Sequence, residues 1–156
     1  MSVLIAGVGH LWLRDLSLGP LVVSRLKSLK LPEDVEADDL SHNPIAAFHR
    51  ISEKRYDKII FVGAMKRGRE KGTVYKYKPG VKLNNEVEIQ DRVSESMMGT
   101  TNLDDILIIS RFYGALPEDT VAIEVEPEDD SWGDELTPAI HGVVDKIVEM
   151  VLEEAR

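Results

Sequence analysis

Val3-Leu4-Ile5-Ala6-Gly7-Val8-Gly9-His10-Leu11-Trp12-Leu13-Arg14-Asp15-Leu16-Ser17-Leu18-Gly19-Pro20 decides the fold class. Val3 to Ala6 is a short, continuously apolar run closed by glycine, the pattern of a buried strand. A loop with one acid, Asp15, follows it. Gly19-Pro20 suits the first turn of a helix, where proline's fixed φ and missing N–H cost nothing. Strand, glycine turn, loop and helix in that order build a cleft at the carboxyl end of the strand. Open α/β sheets bind ligands at that edge.

The same alternation continues along the chain. Leu21, Val22, Leu26 and Leu29 mark one face of the first helix, which Leu31-Pro32 ends. Val35 to Asp39 reads as a second strand ending in acids. Asn43-Pro44 is an N-cap followed by proline at the first helical position. Ile45, Phe48, His49 and Ser52 lie on one side of that helix. Lys58 to Gly63 is the clearest central strand, and Thr73 to Tyr77 alternates like an edge strand. Residues 78 to 100 read as loop with a short strand. Thr101 or Asn102 caps a helix that carries Asp104 and Asp105 in its first turn, where they favour the dipole. Its apolar face is Leu103, Ile106, Leu107 and Phe112, and Gly114 ends it. Thr120 to Glu126 is another strand, closed by Pro127. Thr137-Pro138 starts a last helix whose face is Ile140, Val143, Val144, Ile147 and Val151. The expected fold is α/β: a three-layer, open, mostly parallel sheet with helices on both faces. Residues 1–156 are expected to form a single domain.

The chain's bulk properties exclude several function classes. A formal charge of −9 over 156 residues repels a phosphate backbone unless a basic patch is segregated. The densest basic stretch, Lys66-Arg67-Gly68-Arg69-Glu70-Lys71, is short, carries its own acid and reads as a solvated loop. Nucleic acid is therefore not an expected partner. The absence of cysteine removes disulfides, thiolate nucleophiles and thiolate metal sites. No apolar run reaches the ~18 residues of a membrane span, and no basic segment precedes a long apolar stretch. A cytoplasmic protein without a membrane partner is expected.

With the strands parallel, the ends at Gly7, Asp39, Gly63 and Glu126 fall on one edge of the sheet. His10, Asp15, Asp39, His42 and Glu126 would then line one rim, and histidines with carboxylates suit a transition metal. Strand-end acids equally serve as helix caps, and His42 precedes the cap-like Asn43. The Gly7-x-Gly9 pair falls short of a dinucleotide fingerprint, because Trp12 stands where the third glycine belongs. No serine lies in a G-x-S-x-G elbow. His141 falls on the exposed side of the last helix. Met97-Met98-Gly99 places two flexible thioethers near Trp12 and Trp132, an adaptable surface for a peptide or a piece of loop packing. Trp132, inside the acidic stretch Glu126 to Glu135, is expected to pack somewhere.

Over nearly its full length the chain resembles the hydrogenase maturation endopeptidases. The resemblance runs through the glycine turn Gly7-Val8-Gly9-His10, Asp15, Gly19 and Asp39. In the C-terminal half it runs through Asp104-Asp105-Ile106-Leu107, Arg111-Phe112-Tyr113-Gly114-Ala115-Leu116-Pro117, Val125-Glu126-Pro127 and Leu136-Thr137-Pro138. The resemblance implies a protein that removes a C-terminal extension from the large subunit of a nickel-iron hydrogenase. It also implies that nickel is read on the substrate by a glutamate, an aspartate and a histidine. At those positions this chain has Leu16, Gly63 and Gly99. No histidine occurs between His49 and His141. Leucine and glycine side chains offer no donor atom to nickel, which takes imidazole and oxygen ligands.

Two functions follow as expectations. One is a hydrogenase maturation protease-like protein acting on the C-terminal tail of a large subunit, with nickel-dependent cleavage degraded. The other is a non-catalytic, chaperone-like protein of the same fold that binds a subunit or another protein's C-terminal tail. The cleft candidates are His10, Asp15, Asp39, His42, Met98 and Glu126. A replacement metal shell from His10, Asp15, Asp39 and His42 is conceivable at the same rim. Asp39 and Glu126 are expected to give that rim an acidic lining that favours basic peptides.

Overall fold

A computed structural model describes residues 1–79, 90–91, 93–94 and 102–156. The strands are β1 (Val3–Val8), β2 (Val35–Asp39), β3 (Lys58–Ala64), β4 (Val74–Tyr77) and β5 (Asp119–Val125). The helices are α1 (Leu18–Lys27), α2 (Pro44–Ile51), α3 (Leu103–Phe112), α4 (Pro138–His141) and α5 (Val144–Glu154), with a 3-10 turn at Arg14–Ser17. The strand order is β2-β1-β3-β5-β4. β4 alone runs antiparallel, on β5 at the edge.

The continuous apolar runs become β1 and β3 because both faces of those strands are covered. Side chains alternate across the sheet. Val3 and Ile5 meet Leu18, Val22 and Leu26 of α1 and Ile147 and Val151 of α5 on one face. Leu4, Ala6 and Val8 join Ala47 and Ile51 of α2 and Leu103 and Ile106 of α3 on the other. Phe61, Ile59 and Ile60 are fully buried in β3. Each such side chain contributes about 1.5–3 kcal/mol by leaving water. The three-layer, mostly parallel α/β fold stands as expected.

The helix faces differ in places. The buried residues of α2 are Pro44, Ala47 and Ile51, whereas Ile45 and Phe48 are half-buried and His49 and Ser52 exposed. Small residues let α2 lie close to the sheet, and Phe48 stacks with Tyr113 instead, 5.1 Å between ring centroids. In α1 the buried stripe is Leu18, Val22, Val23 and Leu26, with Leu21 and Leu29 exposed. Phe112 is exposed at the end of α3. The last helix is two, α4 and α5, interrupted at Gly142-Val143. Asn102 is the cap of α3, accepting from the Asp105 N–H at 2.9 Å. Residues 80–89 and 95–101 lie outside the described residues, with most of the expected 78–100 loop.

Register puts the strand ends together. Gly7 pairs with Asp39, Val8 with Gly63, and Gly63 with Glu124. The edge is served by opposite connections, since α1 leaves β1 towards β2 while β3 flanks β1 on the other side. Such a switch point opens a crevice outside the carboxyl ends of the two strands.

Candidate functional site

That crevice is present. A cleft of about 330 Å³ is lined by Val8, Gly9, Leu13, Leu16, Ala64, Met65, Leu103 and the polar Lys66, Asn102 and Asp130. Its volume suits a small ligand or a few side chains of a peptide. Its walls come from the ends of β1 and β3, the loop before the 3-10 turn, and the start of α3. At its lip, Lys66 Nζ lies 3.1 Å from an Asp130 carboxylate oxygen.

Glycine makes the floor possible. A Cβ on Gly9 would sit 1.9 Å from the Leu16 carbonyl oxygen, and one on Gly19 2.3 Å from that of Val8. The start of α1 therefore rests on the end of β1 backbone to backbone, which brings Leu16 to the cleft. The turn is tied from outside by Asp39, whose carboxylate accepts from the Ser41 N–H at 3.0 Å and from the Ser41 hydroxyl. Ser41 Oγ in turn accepts from the Gly9 N–H at 3.0 Å. Asp39 thus acts through Ser41 on the glycine turn.

Asp15 is fully buried. Its Oδ2 accepts from the N–H groups of Glu128 and Asp129 at 2.8 and 2.9 Å, and its Oδ1 from the Thr137 N–H at 2.8 Å. The Thr137 hydroxyl adds contacts of 3.1 and 2.9 Å. Buried carboxylates need such saturation, and it fixes the loop after β5 against the loop after β1. Asp15 is an anchor and does not line the rim.

Glu126 is also removed from the rim. It is 5% exposed, and its Oε1 accepts from the N–H groups of Arg67 and Arg69 at 2.8 and 3.0 Å. Glu126 therefore gives the rim no free carboxylate, and half-buried Asp39 is engaged by the Ser41 N–H and hydroxyl. The loop Lys66 to Lys71 is likewise more than a solvated loop. Glu124, 2% exposed, accepts from Arg67 Nε at 3.0 Å, Arg69 Nη1 at 3.1 Å and the Tyr77 hydroxyl at 3.0 Å. Arg67 also grips both oxygens of Asp104 at 2.8 and 2.9 Å, a bidentate pair. The hydrogen bonds Arg67 donates to Asp104 and Glu124 raise its guanidinium's pKa further above its ordinary value. Burial and the Glu124 charge push the Tyr77 phenol well above its ordinary value. Arg67 and Asp104 adjoin Lys66 and Leu103, so their pair fixes the two walls of the cleft. Sequence reading missed this cluster. The matched spacing of Glu124 with Glu126 and Arg67 with Arg69 was the available signal.

His10 is half-buried, its Nδ1 accepting from the Trp12 N–H at 3.3 Å and its ring edge-on to Trp132 at 6.2 Å. His42 is exposed. Met98 lies outside the described residues, as does Gly99. Among the described residues no three histidine, aspartate or glutamate side chains are grouped to hold a metal ion. The conceived shell of His10, Asp15, Asp39 and His42 is not assembled there, since Asp15 is saturated by backbone and threonine donors. Trp132 does not pack inward and is 76% exposed.

Residues 20–154 match the family model described as hydrogenase maturation protease, HycI. The chain belongs to the hydrogenase maturation protease family. Among solved structures, the hydrogenase 2 maturation peptidase from Thaumarchaeota archaeon SCGC_AB-539-E09 is 25% identical with a TM-score of 0.69, covering 99% of this chain and 98% of that one. An endopeptidase from Escherichia coli is 25% identical with a TM-score of 0.76, covering 100% and 93%. The [NiFe] hydrogenase maturation protease HycI from Thermococcus kodakarensis KOD1 shares the fold at 22% identity and a TM-score of 0.71, covering 98% and 91%. Comparison with curated sequences returned no match.

Two of the positions where the resemblance implies nickel ligands fall among the described residues. Leu16 lines the cleft. Gly63 lies in β3, where a Cβ would stand 2.6 Å from the Val8 carbonyl oxygen. Any side chain at 63 would push the paired strands apart unless the backbone shifted. β1 and β3 therefore approach closely at this glycine. No helix among the described residues is long and apolar enough to cross a membrane.

Proposed function

We propose that this member of the hydrogenase maturation protease family acts on the C-terminal tail of a nickel-iron hydrogenase large subunit, in the cytoplasm, as one domain. It holds the tail in the cleft between β1 and β3 by shape and apolar contact, and it has lost the nickel-dependent cleavage step. The observation that carries this reading is Leu16 in the cleft wall beside Val8, Leu13 and Leu103. An isobutyl group there excludes water and gives no electron pair to nickel. Gly63 supplies none either, so the chain's own groups at these two positions can bury a tail residue but cannot sense the metal on the substrate.

The test is capture of a large-subunit precursor, nickel-loaded and nickel-free, on immobilised protein. The two forms should bind within about twofold of each other. Leu16→Lys, which puts an ammonium among apolar side chains, should weaken both about tenfold. Tighter capture of the nickel-loaded precursor by an order of magnitude would overturn the reading.

A further inference from the structure

We propose that the paired loops 10–14 and 129–133 form a docking rim for a lysine- or arginine-bearing segment of the partner protein. The proposal rests on the tail-binding reading for the partner's identity, but the chemistry of the rim stands on its own observations.

The chain's only two tryptophans are here, and both face solvent. Trp12 is 58% exposed, Trp132 76% and neighbouring Leu11 56%. Exposed indole groups beside a cleft mark an interaction surface, and tryptophan leads the residues that carry binding energy. The rim is already ordered. Leu13 and Gly133 form a parallel bridge. The Gly133 N–H donates to the Trp12 carbonyl at 2.9 Å, and the Arg14 N–H to that of Gly133 at 3.1 Å. Asp15 locks both loops from beneath. Arg14 is held at φ 40°, a conformation that costs a non-glycine residue and persists only where neighbours impose it. A rim ordered in advance loses little entropy on binding.

Charge identifies the occupant. The stretch after β5 carries Glu128, Asp129, Asp130, Asp134 and Glu135. The first three have partners: Lys71 at 3.5 Å, Arg14 at 3.8 Å and Lys66 at 3.1 Å. Asp134 and Glu135 are exposed and make no ion pair among the described residues. Indole faces attract cations through the ring quadrupole, and Asp134 and Glu135, which follow Trp132 in the chain and line the adjoining groove with Leu21 and Arg25, add a negative field. An acidic segment would be repelled. Leu13 and Asp130 of the same loops line the cleft, so a chain leaving the cleft on that side runs over the rim.

Because both tryptophans sit on the rim, intrinsic fluorescence reads it directly. The probe is an eight-residue peptide alternating leucine and arginine, with a twin in which citrulline replaces each arginine. The arginine peptide should shift the emission saturably, and the citrulline twin should bind about tenfold more weakly. Trp132→Ala should weaken binding about tenfold. The pair Asp134→Asn and Glu135→Gln should weaken it about threefold and flatten its salt dependence. Loss of peptide binding with precursor capture intact counts against the rim alone, and loss of precursor capture with peptide binding intact counts against the tail reading alone, so the two readings fail separately. Equal binding of the twin peptides, no binding of the arginine peptide, or an unchanged affinity in Trp132→Ala would each overturn the proposal.

Discussion

Asp15 and Leu16 are adjacent, and the chain uses them for opposite purposes. Asp15 has no solvent exposure and accepts hydrogen bonds from three backbone amides and one hydroxyl. Leu16 turns to the cleft. The acid that resembles the family's first acid is therefore a structural anchor here. Replacing it with alanine strands those donors in a buried place, at about 1–3 kcal/mol for each that finds no water. Asp15→Ala should lose about 3 kcal/mol of stability, read as a lower urea midpoint at constant slope. A loss below about 0.5 kcal/mol, the size of an ordinary surface change, would show that the loops hold without it.

At the scale of elements, β2 carries a charge network that should shape the acid limb of stability. Glu36 accepts from Lys54, from the Tyr56 hydroxyl at 2.8 Å and from Arg50 at 3.0 Å. Its hydrogen bonds, that from Lys54 foremost, lower its pKa from 4.5 to about 2. A carboxylate with a depressed folded pKa contributes stability that is whole above its unfolded pKa and lost as pH falls through the folded one. The contribution from Glu36 should therefore vanish between about pH 4.5 and 2. The melting-temperature gap between the native chain and Glu36→Gln should shrink across that window, and a gap that stays constant would contradict the assignment. The strands themselves were legible in sequence, because β1, β3 and β5 are apolar runs bounded by glycine, proline or charge. Their parallel sense and common edge followed from the helices between them. The face of α2 was not legible, since Ala47 turns inward while the larger Phe48 finds Tyr113 outside the core. Nor were the roles of Asp15, Glu124 and Glu126. Their hydrogen-bond partners lie 47 to 122 residues away, and no local pattern reports so distant a donor.

For the whole molecule, family membership is shown, and the proposed loss of cleavage rests on Leu16 and Gly63. The sheet order, the crevice at the switch point and the match over residues 20–154 place the chain among the hydrogenase maturation proteases. A fold alone does not carry a reaction. The crevice wall holds Leu16 where the resemblance calls for a glutamate, and β3 approaches β1 closely at Gly63. Intact mass spectrometry of a nickel-loaded large-subunit precursor incubated with this protein tests that account most directly. The precursor should keep its full-length mass while remaining in complex with the protein. Nickel-dependent loss of its C-terminal extension would contradict the account and show that cleavage survives without a carboxylate at either position.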